Sequence, residues 1–111
     1  MIVVVFRSKL GPEAGADYGE MAVEMLARAK TMPGFLEFKS FKAEDGERVS
    51  LVYWEDEDTM RAWRNDPRHR EAQRLGRERW YDAYRIEVAH VERTKQFTRE
   101  PAHPAAGPAH D

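Results

Sequence analysis

The side chains able to do chemistry in this 111-residue chain concentrate between Ser50 and Arg79. His69, Ala72, Gln73 and Gly76 fall at i, i+3, i+4 and i+7, the spacing that places residues on one face of a helix. An imidazole titrates near neutrality and suits proton transfer, and the Gln73 amide follows it by one turn. Gly76 costs a helix about 1 kcal/mol relative to Ala, which marks a point of close approach. Either a ligand lies over Ala72 and Gly76, or the helix packs tightly on a sheet with His69 as an exposed cap. Trp54, Trp63, Trp80, Tyr53, Tyr81 and Tyr84 gather in the same half. Aromatic faces suit a flat aromatic ligand, and they suit core and interface packing equally. His69 or His90 is a candidate general base, and Arg7, Arg64 or Arg85 a candidate to steady a substrate anion. Spacing alone does not choose among them.

Composition removes several other chemistries. There is no cysteine, hence no disulfide, thiolate metal site or cysteine nucleophile. His69 and His90 are the histidines outside the C-terminal tail and form no ligand-spaced cluster, so no metal site is expected. No Gly-rich phosphate loop or flavin fingerprint occurs, and Gly11-Pro12 reads only as a turn. With 18 basic and 20 acidic residues the net charge is -2, which gives no general attraction for nucleic acid. Arg68, Arg70, Arg74, Arg77 and Arg79 do cluster, but Glu71 and Glu78 are interleaved, and the run reads as a solvated, salt-bridged helix face. No run approaches the roughly 18 apolar residues that span a membrane. The opening MIVVVF has no basic leader, so a cytoplasmic location is expected.

The elements that must position these groups follow from periodicity. Residues 2–8 are β-branched and apolar, a buried strand, and Lys9 to Gly15 is a loop. Tyr18, Met21, Ala22, Met25, Leu26 and Ala29 recur at helical spacing within an amphipathic helix over 17–31, stopped by Pro33-Gly34. Strands over 35–43 and 48–55 are joined at Asp45-Gly46, a hairpin turn. A short helix over 56–65 has an acidic first turn, which favours the positive end of its dipole. Asp66-Pro67 restarts a helix to about Arg79, since proline suits the first helical position. A last strand, beginning at Trp80 or Tyr84 and ending at Arg93, puts Tyr84, Ile86, Val88 and His90 on one face. Residues 98–111, with His103 and His110, form a Pro/Ala-rich tail expected to be disordered.

The order β-α-β-β-α-β is the split pattern of a ferredoxin-like α+β sandwich with an antiparallel sheet. Two helices cover one sheet face, yet the first and third strands are apolar on both: Ile2, Val4, Phe6 with Val3, Val5, and Leu51, Tyr53 with Val52, Trp54. A second copy of the chain is the economical cover, so a homodimer through the sheet face is expected.

Tyr53-Trp54-Glu55, Asp58-Thr59-Met60-Arg61-Ala62-Trp63, His69-Arg70-Glu71-Ala72-Gln73 and Pro33-Gly34-Phe35 together resemble the antibiotic biosynthesis monooxygenase (ABM) domain family. The resemblance covers about residues 1–97 and implies the dimeric α+β barrel. Some members of that family oxygenate polycyclic phenols to quinones without metal or organic cofactor. Others bind and degrade heme, and others isomerise or merely bind small molecules. The heme-degrading branch is similar at Trp63, but its ligating histidine falls on Gln73 and its first-strand asparagine near Phe6 or Arg7. His69 lies one turn from Gln73 and is a candidate substitute.

The resemblance and the residues together give three expectations. The first is a cofactor-free monooxygenase of a small aromatic or polyketide-like substrate, with a closed apolar cavity between sheet and helices. In it His69, Trp63 and Arg64 are the catalytic candidates, and Tyr53, Gln73, Gly76 and Tyr84 the substrate-binding ones. The second is a heme-binding or heme-degrading protein. The third is a non-catalytic dimeric binding or stress-response module whose cavity is filled by its own side chains.

Overall fold

A computed structural model describes residues 1–99. The tail expected over 98–111 therefore lies outside the described residues except for Thr98 and Arg99, which have no regular structure. In chain order the elements are β1 (Ile2–Leu10), α1 (Ala16–Ala29), β2 (Phe35–Lys42), β3 (Arg48–Trp54), α2 (Glu57–Arg64), α3 (Pro67–Leu75), a π-helical turn (Gly76–Trp80) and β4 (Tyr81–His90). The sheet order is β2-β3-β1-β4 with every neighbouring pair antiparallel. This is the α+β ferredoxin-like arrangement that the element order predicts.

The valine-rich β1 takes a central place, paired with both β3 and β4: Val4 stands opposite Val52 on one side and Val88 on the other. Because facing residues of antiparallel strands share a face, the register sorts the whole sheet. Ile2, Val4, Phe6 and Ser8 face the helices together with Val52, Trp54, Tyr84, Ile86 and Val88. Val3, Val5 and Arg7 face away, with Val49, Leu51 and Tyr53. The core is Ile2, Ala29, Trp54, Met60 and Trp63, with Val4, Met25, Met32, Phe35 and Val52 packed around it.

Two departures from expectation have local causes. β1 continues to Leu10 rather than ending at Ser8, because Lys9 and Leu10 still find partners in Ala83 and Tyr81 across a bulge. The third helix stops as an α-helix at Leu75, and one π-helical turn carries the chain to Trp80. A Cβ on Gly76 would lie 2.6 Å from the Tyr81 ring, so only glycine lets that ring close over the turn. The wider turn delivers Trp80 to the interior, where it is buried, and β4 begins at Tyr81. At its other end β4 stops at His90, short of the expected Arg93, and the Val91 N–H bonds the Met1 carbonyl at 3.0 Å.

Asp56 and Asn65, expected inside the second helix, flank it as caps. The Asp56 carboxylate accepts from the Thr59 N–H at 2.8 Å, and the Thr59 hydroxyl reaches back to the Asp56 N–H. Gly34, at φ +84°, is the left-handed residue that ends the first αβ connection, and its carbonyl accepts from the Glu55 N–H. A side chain there would collide with Thr59.

Two apolar surfaces remain uncovered by any described element. On the helix-free side lie Val3, Val5, Val49, Leu51, Tyr53 and Phe41. On the helix side, the outer strand β4 leaves Tyr84, Ile86 and Val88 about half exposed.

Candidate functional site

The site grows from the junction of α2 and α3. A helix ends with carbonyls that lack intrahelical partners, and α3 supplies side chains to those of α2. His69 Nδ1 lies 3.0 Å from the Trp63 carbonyl, and Gln73 Nε2 donates to the Arg64 carbonyl at 3.1 Å. A carbonyl only accepts, so the His69 proton sits on Nδ1. The 3.3 Å approach of Gln73 Nε2 to Nδ1 is then a contact between two donors, not a hydrogen bond. The imidazole also lies flat on the Trp63 indole, with centroids 4.1 Å apart and planes at 11°.

Asp66 fixes this geometry from below. As N-cap of α3 it accepts from the Arg68 and His69 N–H groups, both at 3.1 Å. It is itself held by a bidentate Arg28 at 2.8 and 2.9 Å. The Arg28 guanidinium, with the two backbone donors, keeps the Asp66 carboxyl below the usual carboxylate range. α1 is thereby tied to the start of α3.

The protonation chemistry follows. Burial pushes the His69 pKa down from its ordinary value, against the opposing pull of the Trp63 carbonyl and Asp66. His69 is therefore neutral at neutral pH, with its lone pair on Nε2. Among the described residues no hydrogen-bond partner meets Nε2, and no buried side-chain nitrogen or oxygen lacks one. Nε2 is thus an accessible proton acceptor on a ring whose other nitrogen is anchored.

A second aromatic group sits at the opposite end of the helix-side face. Phe6 packs on Tyr81 and Tyr84 with centroids 5.4 and 5.7 Å away, and Tyr18 packs edge-on to Trp80 and Tyr81. Trp80 Nε1 donates to Asp17 at 3.2 Å. Burial, with Tyr18 alongside, raises the Tyr81 pKa well above that of a free phenol.

The structure thus brings His69, Trp63, Arg64 and Gln73 together and disperses the other candidates. Gly76 is buried beneath Tyr81, so the close approach expected there is made by the protein's own ring. Tyr84 belongs to the second aromatic group. Tyr53 faces away from the helices, on the opposite side of the sheet from Trp54. His90 pairs with Glu57 at 2.7 Å. Arg7 is bound to Glu47, and Arg85 approaches Glu87; both stand on the helix-free face.

Trp63 is 7% exposed, with His69 on one ring face and Trp54 6.4 Å away. The closed apolar cavity expected beside it is replaced by these packed rings. Two clefts elsewhere are open and charged. One, of about 740 Å³, is lined by Arg64, Arg70, Gln73, Arg74 and Arg77 among others. The other, about 240 Å³, lies between α1 and the end of α3.

Of the residues that the heme-degrading branch would use, Trp63 and Gln73 do not fit heme, whereas the unpartnered His69 Nε2 has the chemistry of an iron ligand. No broad face of Trp63 is open to a porphyrin, and the Gln73 amide, a poor iron ligand, is committed to the Arg64 carbonyl. Among the described residues no group of three His, Cys, Asp or Glu could hold a metal ion, and no helix is long and apolar enough to cross a membrane.

The anchor pair Arg28–Asp66 was absent from the sequence-derived candidates. Asp66 did carry a signal, an Asp immediately before a helix-starting Pro. Arg28, 38 positions away, carried none.

Fold and site define a small α+β domain with a neutral histidine held at a helix junction. Residues 1–75 match the family described as Antibiotic biosynthesis monooxygenase, and the chain belongs to that family. It is 36% identical over 94 residues to the uncharacterized protein YqjZ of Bacillus subtilis, covering 85% of this chain and 82% of that one. It is 28% identical over 93 residues to the jasmonate monooxygenase ABM of Pyricularia oryzae, covering 82% of this chain but 43% of the fungal protein. SnoaB, a cofactor-independent oxygenase from Streptomyces nogalater, shares the fold. Its TM-score is 0.70 at 17% identity, over 84% of this chain and 94% of SnoaB.

Proposed function

We propose that the protein is a cofactor-independent monooxygenase of small, electron-rich aromatic or polyketide-like substrates, acting in the cytoplasm as a homodimer with His69 as general base. The observation that carries this reading is the His69 imidazole: neutral, anchored through Nδ1–H to the Trp63 carbonyl, with Nε2 free. Family membership supplies the reaction class.

The chemistry needs a substrate that can itself reduce dioxygen. Nε2 takes a proton from the acidic CH2 of a phenol's keto form, leaving a delocalised carbanion. The carbanion passes one electron to O2, and the resulting radical pair joins as a C–O–O⁻ peroxide. The imidazolium returns its proton to the terminal oxygen. Cleavage of the O–O bond, with loss of the remaining C–H proton, leaves C=O and releases water. One oxygen atom enters the product, the other leaves as water, and the substrate supplies all four electrons. Trp63 acts as the plate behind His69, and the Arg64 cation beside Gln73 steadies the anion. Ile86 and Val88 of β4, about half exposed, add apolar surface on the same side of the sheet.

The dimer is supported by the helix-free face, where Val3, Val5, Val49, Leu51, Tyr53 and Phe41 make a continuous apolar surface. Sedimentation equilibrium of the full chain is expected to give twice the 12.9 kDa monomer mass, and Leu51→Asp to halve it.

The test is oxygen uptake by chelator-treated protein against a panel of polycyclic phenols, with His69→Ala alongside. At least one substrate should consume one O2 per quinone formed, and the variant should lose about 100-fold or more in rate. Equal rates for both proteins would refute the assignment of the base.

A second reading is favoured by one observation, the filling of the space around Trp63 by Trp54 and His69. In it the protein is a non-catalytic dimeric binding module, and phenols bind without any oxygen uptake.

A further inference from the structure

α3 is tied down along one flank and left charged along the other. Toward α1, Arg68 grips Glu24 at 2.6 and 2.8 Å, and Arg28 grips Asp66. Arg70, Gln73, Arg74 and Arg77, at i, i+3, i+4 and i+7, share the opposite flank and line the open groove together with Arg64. Of these cations Arg74 is neutralised, by Glu71 and Glu78. Arg64, Arg70 and Arg77 have no ion-pair partner among the described residues.

This arrangement is unfavourable for the protein alone. Glu71 and Glu78 are engaged by Arg74, so neither is left to offset Arg70 or Arg77. Asp66 caps the positive end of α3 but is engaged by Arg28 and by the Arg68 and His69 N–H groups, and no acidic residue follows in the first turn beside Arg70. Arg64, at the C-terminal end of α2, is favourably placed on its own helix, so the surplus belongs to Arg70 and Arg77. An external anion in the groove would offset both charges. Guanidinium forks converging on a concave surface match the oxygens of carboxylate and phosphate.

We propose that the groove between α2 and α3 binds the anionic end of a small organic ligand, a phosphate or carboxylate group carrying about two negative charges. The charge follows from the lining: four arginines, less the two carboxylates that pair with Arg74. Gln73 joins this groove to the imidazole, since its amide lines the groove, bonds the Arg64 carbonyl and touches His69 Nδ1. An anionic group seated on Arg70 and Arg77 leaves the rest of its molecule beside that histidine. The inference concerns binding, and it stands or falls separately from oxygenation.

The experiment is calorimetry and amide NMR of the full chain in about 0.1 M salt, with phenyl phosphate, phthalate and neutral benzyl alcohol as probes. At least one anion should bind and move the signals of residues 64–77, and the better of the two identifies phosphate or carboxylate as the preferred group. Arg70→Gln combined with Arg77→Gln should weaken that anion about tenfold or more, leave benzyl alcohol unchanged and flatten the salt dependence. Arg70→Lys with Arg77→Lys, which keeps the charge but not the fork, should bind between the parent and the Gln variant and controls for folding. The proposal is overturned if neither anion moves these signals at about 10 mM, or if the Gln variant binds as the parent does. Binding of anionic vesicles without binding of either small anion would also overturn it.

Discussion

Asp66→Ala is the substitution on which the site's architecture depends most. It removes one carboxylate that accepts from the His69 and Arg68 N–H groups and from both arms of Arg28. Loss of an N-cap costs about 1 kcal/mol, with a range of roughly 0.5–2. Asp66 is 8% exposed, which places it toward the upper part of that range. The Arg28 pair adds a smaller increment, because the Arg28 side chain is 45% exposed and solvent screens it. A loss of about 1.5–2 kcal/mol is therefore expected in urea unfolding, or roughly 5–15 °C in Tm. Asp66→Asn can keep the cap through its one oxygen but loses the charge and turns an acceptor of Arg28 into a donor, and should cost less than the Ala variant. The pH dependence fixes the sign. The Asp66 carboxyl is held below its ordinary pKa, so its contribution is complete above about pH 4 and is lost as pH falls through the folded value. The gap between parent and Ala variant should thus narrow in acid. An Ala variant within about 0.3 kcal/mol of the parent at pH 7 would refute the reasoning.

Three further outcomes follow from the same geometry. Trp63→Ala, in the core and beneath His69, should cost about 3–5 kcal/mol, and a loss under about 1.5 in denaturant unfolding would mean that the stack is not formed. Gly76→Ala drives a methyl into the Tyr81 ring and should destabilise by about 1–2 kcal/mol; the double variant with Tyr81→Ala should cost less than the sum of the two singles, and simple additivity would contradict the contact. His69 has a depressed pKa, so its contribution to stability is complete above the ordinary histidine value of about 6.5 and is lost as pH falls through 6.5 toward the folded value. Unfolding curves should show that dependence in the parent and lose it in His69→Gln.

Much of the fold was legible because local signals agreed with one another. The β-branched run after Met1, the Asp45-Gly46 turn and the Asp66-Pro67 helix restart each have a mechanism that acts over a few residues. The apolar character of both faces of β1 and β3 was legible for the same reason. The register then decided what periodicity could not: that Tyr53 and Trp54, adjacent in sequence, serve opposite faces of the sheet. The π-helical turn was hidden because its cause is Tyr81 lying over Gly76, whereas a sequence shows only a glycine in a helical run. At the site, the spacing of His69 and Gln73 was legible. Their partners were not, since the Trp63 and Arg64 carbonyls become available only because α2 ends at the Asn65 cap.

The most direct test of the account is the protonation state of His69, read from the imidazole nitrogens by ¹⁵N-edited NMR across a pH titration. The geometry predicts the Nδ1–H tautomer at neutral pH, with an unprotonated Nε2 and a pKa below about 6.5. A proton on Nε2 at pH 7, or a pKa above the ordinary histidine value, would leave no free base at the α2–α3 junction and would contradict the proposed chemistry.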